Sequence, residues 1–382
     1  MAAQAPSGYV RTAPVAAMPP PMRNRGVWGW ILEHLLSSKL NIALTLLSLL
    51  VIWWIVPPLL NFLIFDATWV GSDRTACIAT PDRLRAGACW AFVFERINFF
   101  VYGFYPAAQR WRVDVFFALL AFGIVWLLAF RAPFKKAAVI YFFVVLPVLS
   151  IILLLGAAPL GLPYVSTSLW GGILVTIVVS AVGIVFSLPI GVVLALGRRS
   201  KMPVVRLFSV IFIEFVRGVP LITVLFMASV MLPLFVPESW SPDKLLRALI
   251  GVAMFAAAYM AEVVRAGLQS IPRGQFEGAQ ALGLSYWKMM GLIILPQALK
   301  VTIPNIVNSN IALFKDTTLV FIVGIFDFLR TIEAARIDPK WATPVTSTTG
   351  YAFAAIFYFL CCWMMSRYAA SVERRLATGY KR

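Results

Sequence analysis

The chain has 382 residues, 61% hydrophobic and 13% charged, with a mean hydropathy of +0.87. Soluble domains run near half apolar and about a quarter charged, so the composition excludes an ordinary soluble domain and points to a polytopic membrane protein. A net charge of +17 would suggest nucleic acid on a soluble chain, but no basic stripe is interleaved with stacking aromatics; Lys and Arg at membrane ends account for it, which implies membrane lipid as a partner and no nucleic acid.

Residues 1–40 are rich in Ala and Pro and carry Arg11, Arg23, Arg25 and Lys39, which predicts a disordered cytoplasmic tail rather than a removed signal peptide. A span needs about 20 apolar residues. The first candidate is 41–63, with Trp53 and Trp54 suited to an interface. Residues 64–113 form a long connection outside the cytoplasm that holds Cys77 and Cys89. That compartment permits a disulfide, and the sequence leaves the bonded and free states both open. The second and third candidates, 114–130 and 137–157, are joined by the tight basic link Arg131 to Lys136. Residues 41–165 are thus expected to make an N-terminal three-span extension.

From residue 166 the texture changes. Gly172, Thr176 and Ser180 recur every four residues, as do Gly183, Ser187 and Gly191. Small side chains in such stripes let helices approach closely. The fourth candidate, 169–196, ends at Arg198 to Lys201; 206–235, 245–266, 297–314 and 350–369 follow. Segment 315–345 mixes charge with apolar residues and reads as a surface-lying amphipathic helix plus a loop. With the N-terminus inside, the short basic links and the basic C-terminal tail all fall inside, as the positive-inside rule requires. The fold class is therefore all-α, a transmembrane bundle of about eight spans with both termini cytoplasmic.

Between the sixth and seventh spans lies 272–296, small and turn-like where its neighbours are apolar. Pro272 can open a short helix, Gly283 can end it in the left-handed conformation, and Ser285 can cap the next piece. Gly278, Ala279, Ala281 and Gly283 would offer a surface almost free of side chains, with Glu277 beside it for a partner's cation. In the seventh span Thr302, Asn305, Asn308 and Ser309 cluster on one face, suited to a substrate pathway or to hydrogen bonds between helices. Glu214 with Arg217, and Glu262 with Arg265, sit three apart and read as ion pairs holding a gate region. His34, the one histidine, precedes the first span and supports no metal site; Cys361 and Cys362 read as apolar filler. The chain contains no phosphate-cradling G-x-x-x-x-G-K-[ST] loop, so we expect no cofactor on it and no ATP hydrolysis by it.

The stretch resembles the EAA motif of permease subunits in ATP-binding-cassette importers, usually Glu-Ala-Ala, three residues, Gly, nine residues, Ile, one residue, Leu-Pro. Glu277, Gly278, Ala279, Gly283, Ile293, Leu295 and Pro296 stand at those spacings, with Gly278 in place of the middle Ala. Residues 165–375 are similar to the amino-acid branch, the histidine, glutamine and general L-amino-acid permeases, on EFVRGVPLITVLF, AAYMAEVVRAGLQSIPRGQFEGAQALGLS and LFKDTTLV. The resemblance implies a five-span type I permease core over 166–375, with 272–296 as its coupling loop, in a bacterial inner membrane. It also implies a second permease subunit, an ATPase dimer and a periplasmic amino-acid-binding protein as partners. The alternative is an ion-coupled secondary transporter of small polar solutes, which would want an acid near mid-membrane and a repeated half.

Overall fold

The computed structural model describes residues 26–79, 86–237 and 242–376. It divides into two compact units, Met1–Ala67 and Thr68–Arg382. Among the described residues seven helices are long and apolar enough to cross a membrane, and an eighth candidate is a sharply bent pair.

In the first unit, α1 (Gly26–His34) is helical where a disordered tail was expected. Val27, Trp28, Trp30, Ile31 and Leu32 give it an apolar content that the preceding Ala/Pro stretch lacks, and the His34 ring stacks on Trp30 at 5.0 Å. The rest of the expected tail, residues 1–25, lies outside the described residues. The first span, α2 (Lys39–Phe65), starts at Ser38, whose hydroxyl accepts from the Asn41 N–H at 3.1 Å. It is apolar on every side, the pattern of a helix solvated by lipid.

The second unit opens with a disulfide between Cys77 and Cys89, Cα atoms 5.5 Å apart. It leads into α3 (Trp90–Tyr102), a helix inside the segment read from the sequence as a loop. Phe92 and Phe100 of α3 are fully buried against Phe328, Ile332 and Trp341, which is what holds so short a helix. The spans α4 (Arg110–Leu128), α5 (Lys135–Leu155) and α6 (Gly172–Arg198) follow. Val113, Phe116, Leu146 and Leu154 of α4 and α5 share one core with Val175, Val179, Leu225 and Val252 of later helices. The second and third spans therefore share one of this unit's three buried clusters with later helices.

The fifth span is not a single helix: α7 (Pro203–Gly218) and α8 (Leu221–Phe235) meet at 107°. Pro220 has no N–H to donate, and its ring forces Val219 out of the helical region, to φ −111° and ψ 136°. The pair still crosses. α6 and α9 (Lys244–Ser270) run parallel, since the Arg199 guanidinium donates to the Leu268 carbonyl at one end and the Thr167 hydroxyl to the Asp243 carboxylate at the other. Two parallel neighbouring spans need a crossing between them.

After α9 come α10 (Arg273–Ala281), α11 (Tyr286–Val323), α12 (Phe328–Ala335) and α13 (Pro344–Leu376). α12 is amphipathic as expected: Phe328, Thr331, Ile332 and Ala335 are buried while Arg330 is exposed. The small-residue stripes of α6 face inward, with Gly172, Thr176, Ser180, Gly183, Ser187 and Gly191 all buried. They let α6 lie close against α9 and α11; Gly183 sits against Leu313 and Val252, and Gly191 against Met260.

Candidate functional site

The knuckle between α9 and α11 is closed by backbone bonds. Gly283 takes φ +69°, its N–H donates to Gln280 at 2.9 Å, and the Leu284 N–H donates to Ala279 at 3.2 Å. This is the Schellman ending, for which glycine is the least strained residue. Pro272 sits one position before the helix rather than in it, and Ser285 holds the cap position of the next turn without a side-chain bond. Gln297 donates to Gln275 at 3.1 Å and to the Ile293 carbonyl at 2.9 Å, tying α10 to the start of α11.

The outward face differs from the sequence expectation. Ala279 is 2% exposed and packs with Leu268, Ile271, Met289 and Ile294, because the α10 turn that carries it faces the bundle. Glu277, Gly278, Ala281 and Gly283 are exposed, but so are Leu282, at 77%, and Trp287, at 73%. The surface is thus partly apolar rather than nearly free of side chains. Ile293 and Leu295 are half-buried and Pro296 is exposed.

Beside the knuckle the charged side chains form one network. Glu262 receives Arg265 at 2.8 Å, Arg198 at 2.9 Å and Arg217 at 3.8 Å, while Glu214 receives Arg198 at 2.7 Å. The expected pair of Glu262 with Arg265 is present. Glu214 and Arg217 are not paired with each other: Glu214 turns to Arg198, and Arg217 turns to Glu262 with its guanidinium 5.5 Å from the Tyr259 ring. Arg198 is the last residue of α6, at the head of the basic run Arg198 to Lys201 that sequence reasoning took only as an orientation signal. Its neighbour Arg199 also reaches the knuckle, 5.6 Å over the Phe276 ring. Two adjacent arginines at a helix end facing two acids on other spans were the signal missed.

The polar residues of α11 separate. Thr302 is buried, donates to the Ala298 carbonyl at 3.0 Å, and lies where a Cβ on Gly267 would come 2.6 Å from its methyl. It serves the α9–α11 contact. Asn305 and Asn308 are exposed and Ser309 is half-buried; among the described residues none of the three has a side-chain hydrogen bond within the chain. Unpaired amides on a span call for a partner chain or a water-lined passage.

A family model described as binding-protein-dependent transport system inner membrane component matches residues 187–378. An inner membrane amino-acid ABC transporter permease protein of Escherichia coli K12, YhdY, is 49% identical over 350 residues, 92% of this chain and 93% of that one. The chain belongs to this family of inner-membrane transport components. A second relative of the permease, the glutamate/glutamine/aspartate/asparagine transport system permease protein BztC of Rhodobacter capsulatus, is 39% identical over 98% of this chain and 99% of that one. A crystal structure of an amino acid ABC transporter with histidines matches 53% of the permease and 92% of that chain, at 26% identity and a TM-score of 0.47. The permease is a multi-pass protein of the inner membrane.

Proposed function

We propose that this permease forms part of the translocation pathway of an ATP-driven amino-acid importer and takes its thrust from a separate ATPase dimer through Glu277, Gly278, Gly283 and the segment up to Pro296. The observation that carries the reading is the knuckle: a closed, rigid turn with an exposed acid and an exposed Leu282–Trp287 patch, joined by backbone to α9 and α11. An apolar patch ringed by polar groups fits a partner protein. Pushed as a unit, it would tilt α9 and α11 together in a switch between two packings. The amino-acid substrate rests on the names of the two full-length relatives. Asn305, Asn308 and Ser309 would face a second permease subunit or the passage, and a periplasmic binding protein would deliver the substrate. Both termini lie in the cytoplasm, and no cofactor binds this chain.

The alternative, an ion-coupled transporter, needs an acid free to load and release a cation. Glu214 and Glu262 are each held by arginine, which favours a structural use. Purification of the permease with its neighbours tests the proposal: a soluble ATPase should co-purify, and a Gly278→Cys variant should crosslink to it. Uptake of labelled amino acids that persists without any ATPase would overturn the reading.

A further inference from the structure

At the same end of the bundle as the knuckle, a cavity of about 470 Å³ is lined by Arg198, Arg199, Arg206, Val210, Arg265 and Gln269. Four guanidinium groups from three helices converge on it. With Arg217 the cluster holds five positive charges against the two carboxylates of Glu214 and Glu262. The carboxyl ends of α6 and α9 supply roughly half a negative charge each, and the amino end of α7 opposes them with roughly half a positive one. A surplus of more than two positive charges remains around one cavity. Such charges repel strongly outside bulk water unless an anion enters.

The donors point to the kind of anion. Arg198 and Arg265 are oriented by Glu214 and Glu262, and Arg199 is held by the Leu268 carbonyl and the Phe276 ring. Arg206, in contrast, is exposed, and its side chain makes no hydrogen bond or ion pair among the described residues. Guanidinium forks match the oxygens of a phosphate. Around Arg206, α7 exposes Val204, Leu207, Phe208, Ile211 and Phe215, so the cavity opens beside an apolar helix face at a membrane end. Phosphate chemistry flanked by oil is what a phospholipid presents.

We infer that this cavity binds the phosphate headgroup of an anionic phospholipid, with the acyl chains along α7, and so pins the ends of α6, α7 and α9 beside the knuckle. The proposal places the lipid in the leaflet that the knuckle faces; that it is the cytoplasmic leaflet rests on the function proposed above.

The test uses the full-length permease in mild detergent, titrated with dioctanoyl phosphatidylglycerol, dioctanoyl phosphatidylcholine or inorganic phosphate while the thermal unfolding midpoint is read. Phosphatidylglycerol should raise the midpoint saturably, and Arg206→Ala should weaken that response about tenfold, the loss of one charge-assisted contact. Because the Arg206 side chain is unbonded within the chain and adds to the cluster's repulsion, the variant should unfold no lower than the wild type without lipid. Arg131→Ala, which removes equal charge from an exposed turn outside the cavity, should leave the response intact. Equal stabilisation by phosphatidylcholine, or an undiminished response in Arg206→Ala, would overturn the site. Stabilisation by inorganic phosphate with none from phosphatidylglycerol would overturn the lipid assignment. No ATPase enters the measurement, so its failure is distinct from failure of the coupling proposal.

Discussion

Two acids of the arginine network differ in how much water they keep. The Glu262 side chain is 15% exposed and shared by three arginines, whereas Glu214 is 53% exposed and bound by one. Glu262→Gln should therefore cost on the order of 2 kcal/mol by leaving guanidinium groups half-buried and unpaired, and Glu214→Gln under about 1 kcal/mol. Unfolding of the two variants in the same detergent measures the difference. Gly283 answers a separate question. A Cβ there would meet nothing within 4 Å, and Asp tolerates positive φ better than most residues, so Gly283→Asp should insert and fold. Lost uptake in that variant would then report on the docking face rather than on the fold, and full uptake would count against coupling. Asp327 makes a pH prediction. It is fully buried at the start of α12, and burial pushes its carboxyl up to about 7 although the Leu329 and Arg330 N–H groups pull it down. The folded state thus holds the proton more tightly than the unfolded one. Stability from this group is full below the ordinary carboxylate range and is lost as pH rises toward about 7. The melting midpoint should fall over that window, and Asp327→Asn should flatten the fall.

Helices carry the next level of evidence. Wide π turns at Tyr141–Val145, Met227–Met231 and Met290–Ile294 each end two residues before a proline: Pro147, Pro233 and Pro296. A proline ring clashes with the carbonyl four residues back, and widening the turn relieves that clash. The three prolines are plain in the sequence, yet no widened turn follows from spacing alone; the small-residue stripes of α6 and the glycine that ends α10 were legible. The break at Val219–Pro220 was equally present but was masked by the unbroken apolar run around it. Helix α3 was not legible, because its stability comes from Phe328 and Trp341, more than 200 residues away in sequence. The outward turn of Leu282 and the inward turn of Ala279 depend on how α10 sits on the bundle, which spacing alone does not fix. Close packing gives a paired prediction. A Cβ on Gly267 would lie 2.7 Å from the Ala298 carbonyl oxygen, a backbone atom, whereas one on Gly183 would meet the movable end of Leu313 at 2.8 Å. Gly267→Ala should cost about 1–3 kcal/mol and Gly183→Ala less, read as melting midpoints.

At the scale of the whole permease, contacts near both ends of the spans allow an orientation test. The Arg375 guanidinium lies over the Phe130 ring and the Tyr368 hydroxyl donates to the Leu128 carbonyl at 3.1 Å, so the basic end of α13 sits beside the basic link of α4 and α5. The link after α6 sits beside the knuckle. In a background without Cys361 and Cys362, cysteines at Arg131, Ser200 and Gly283 should react in intact cells only with membrane-permeant reagents. Labelling of any one by an impermeant reagent would reject the shared cytoplasmic face. The Cys77–Cys89 bridge closes a loop of sequence separation 12 on the opposite side of that scheme. Thiols are oxidised only where the milieu is oxidising, so closure of this small ring dates the export of its segment. A mobility shift on pulse-labelled nascent chains would then act as a clock for biogenesis, recording whether the early spans have threaded before the later ones leave the ribosome.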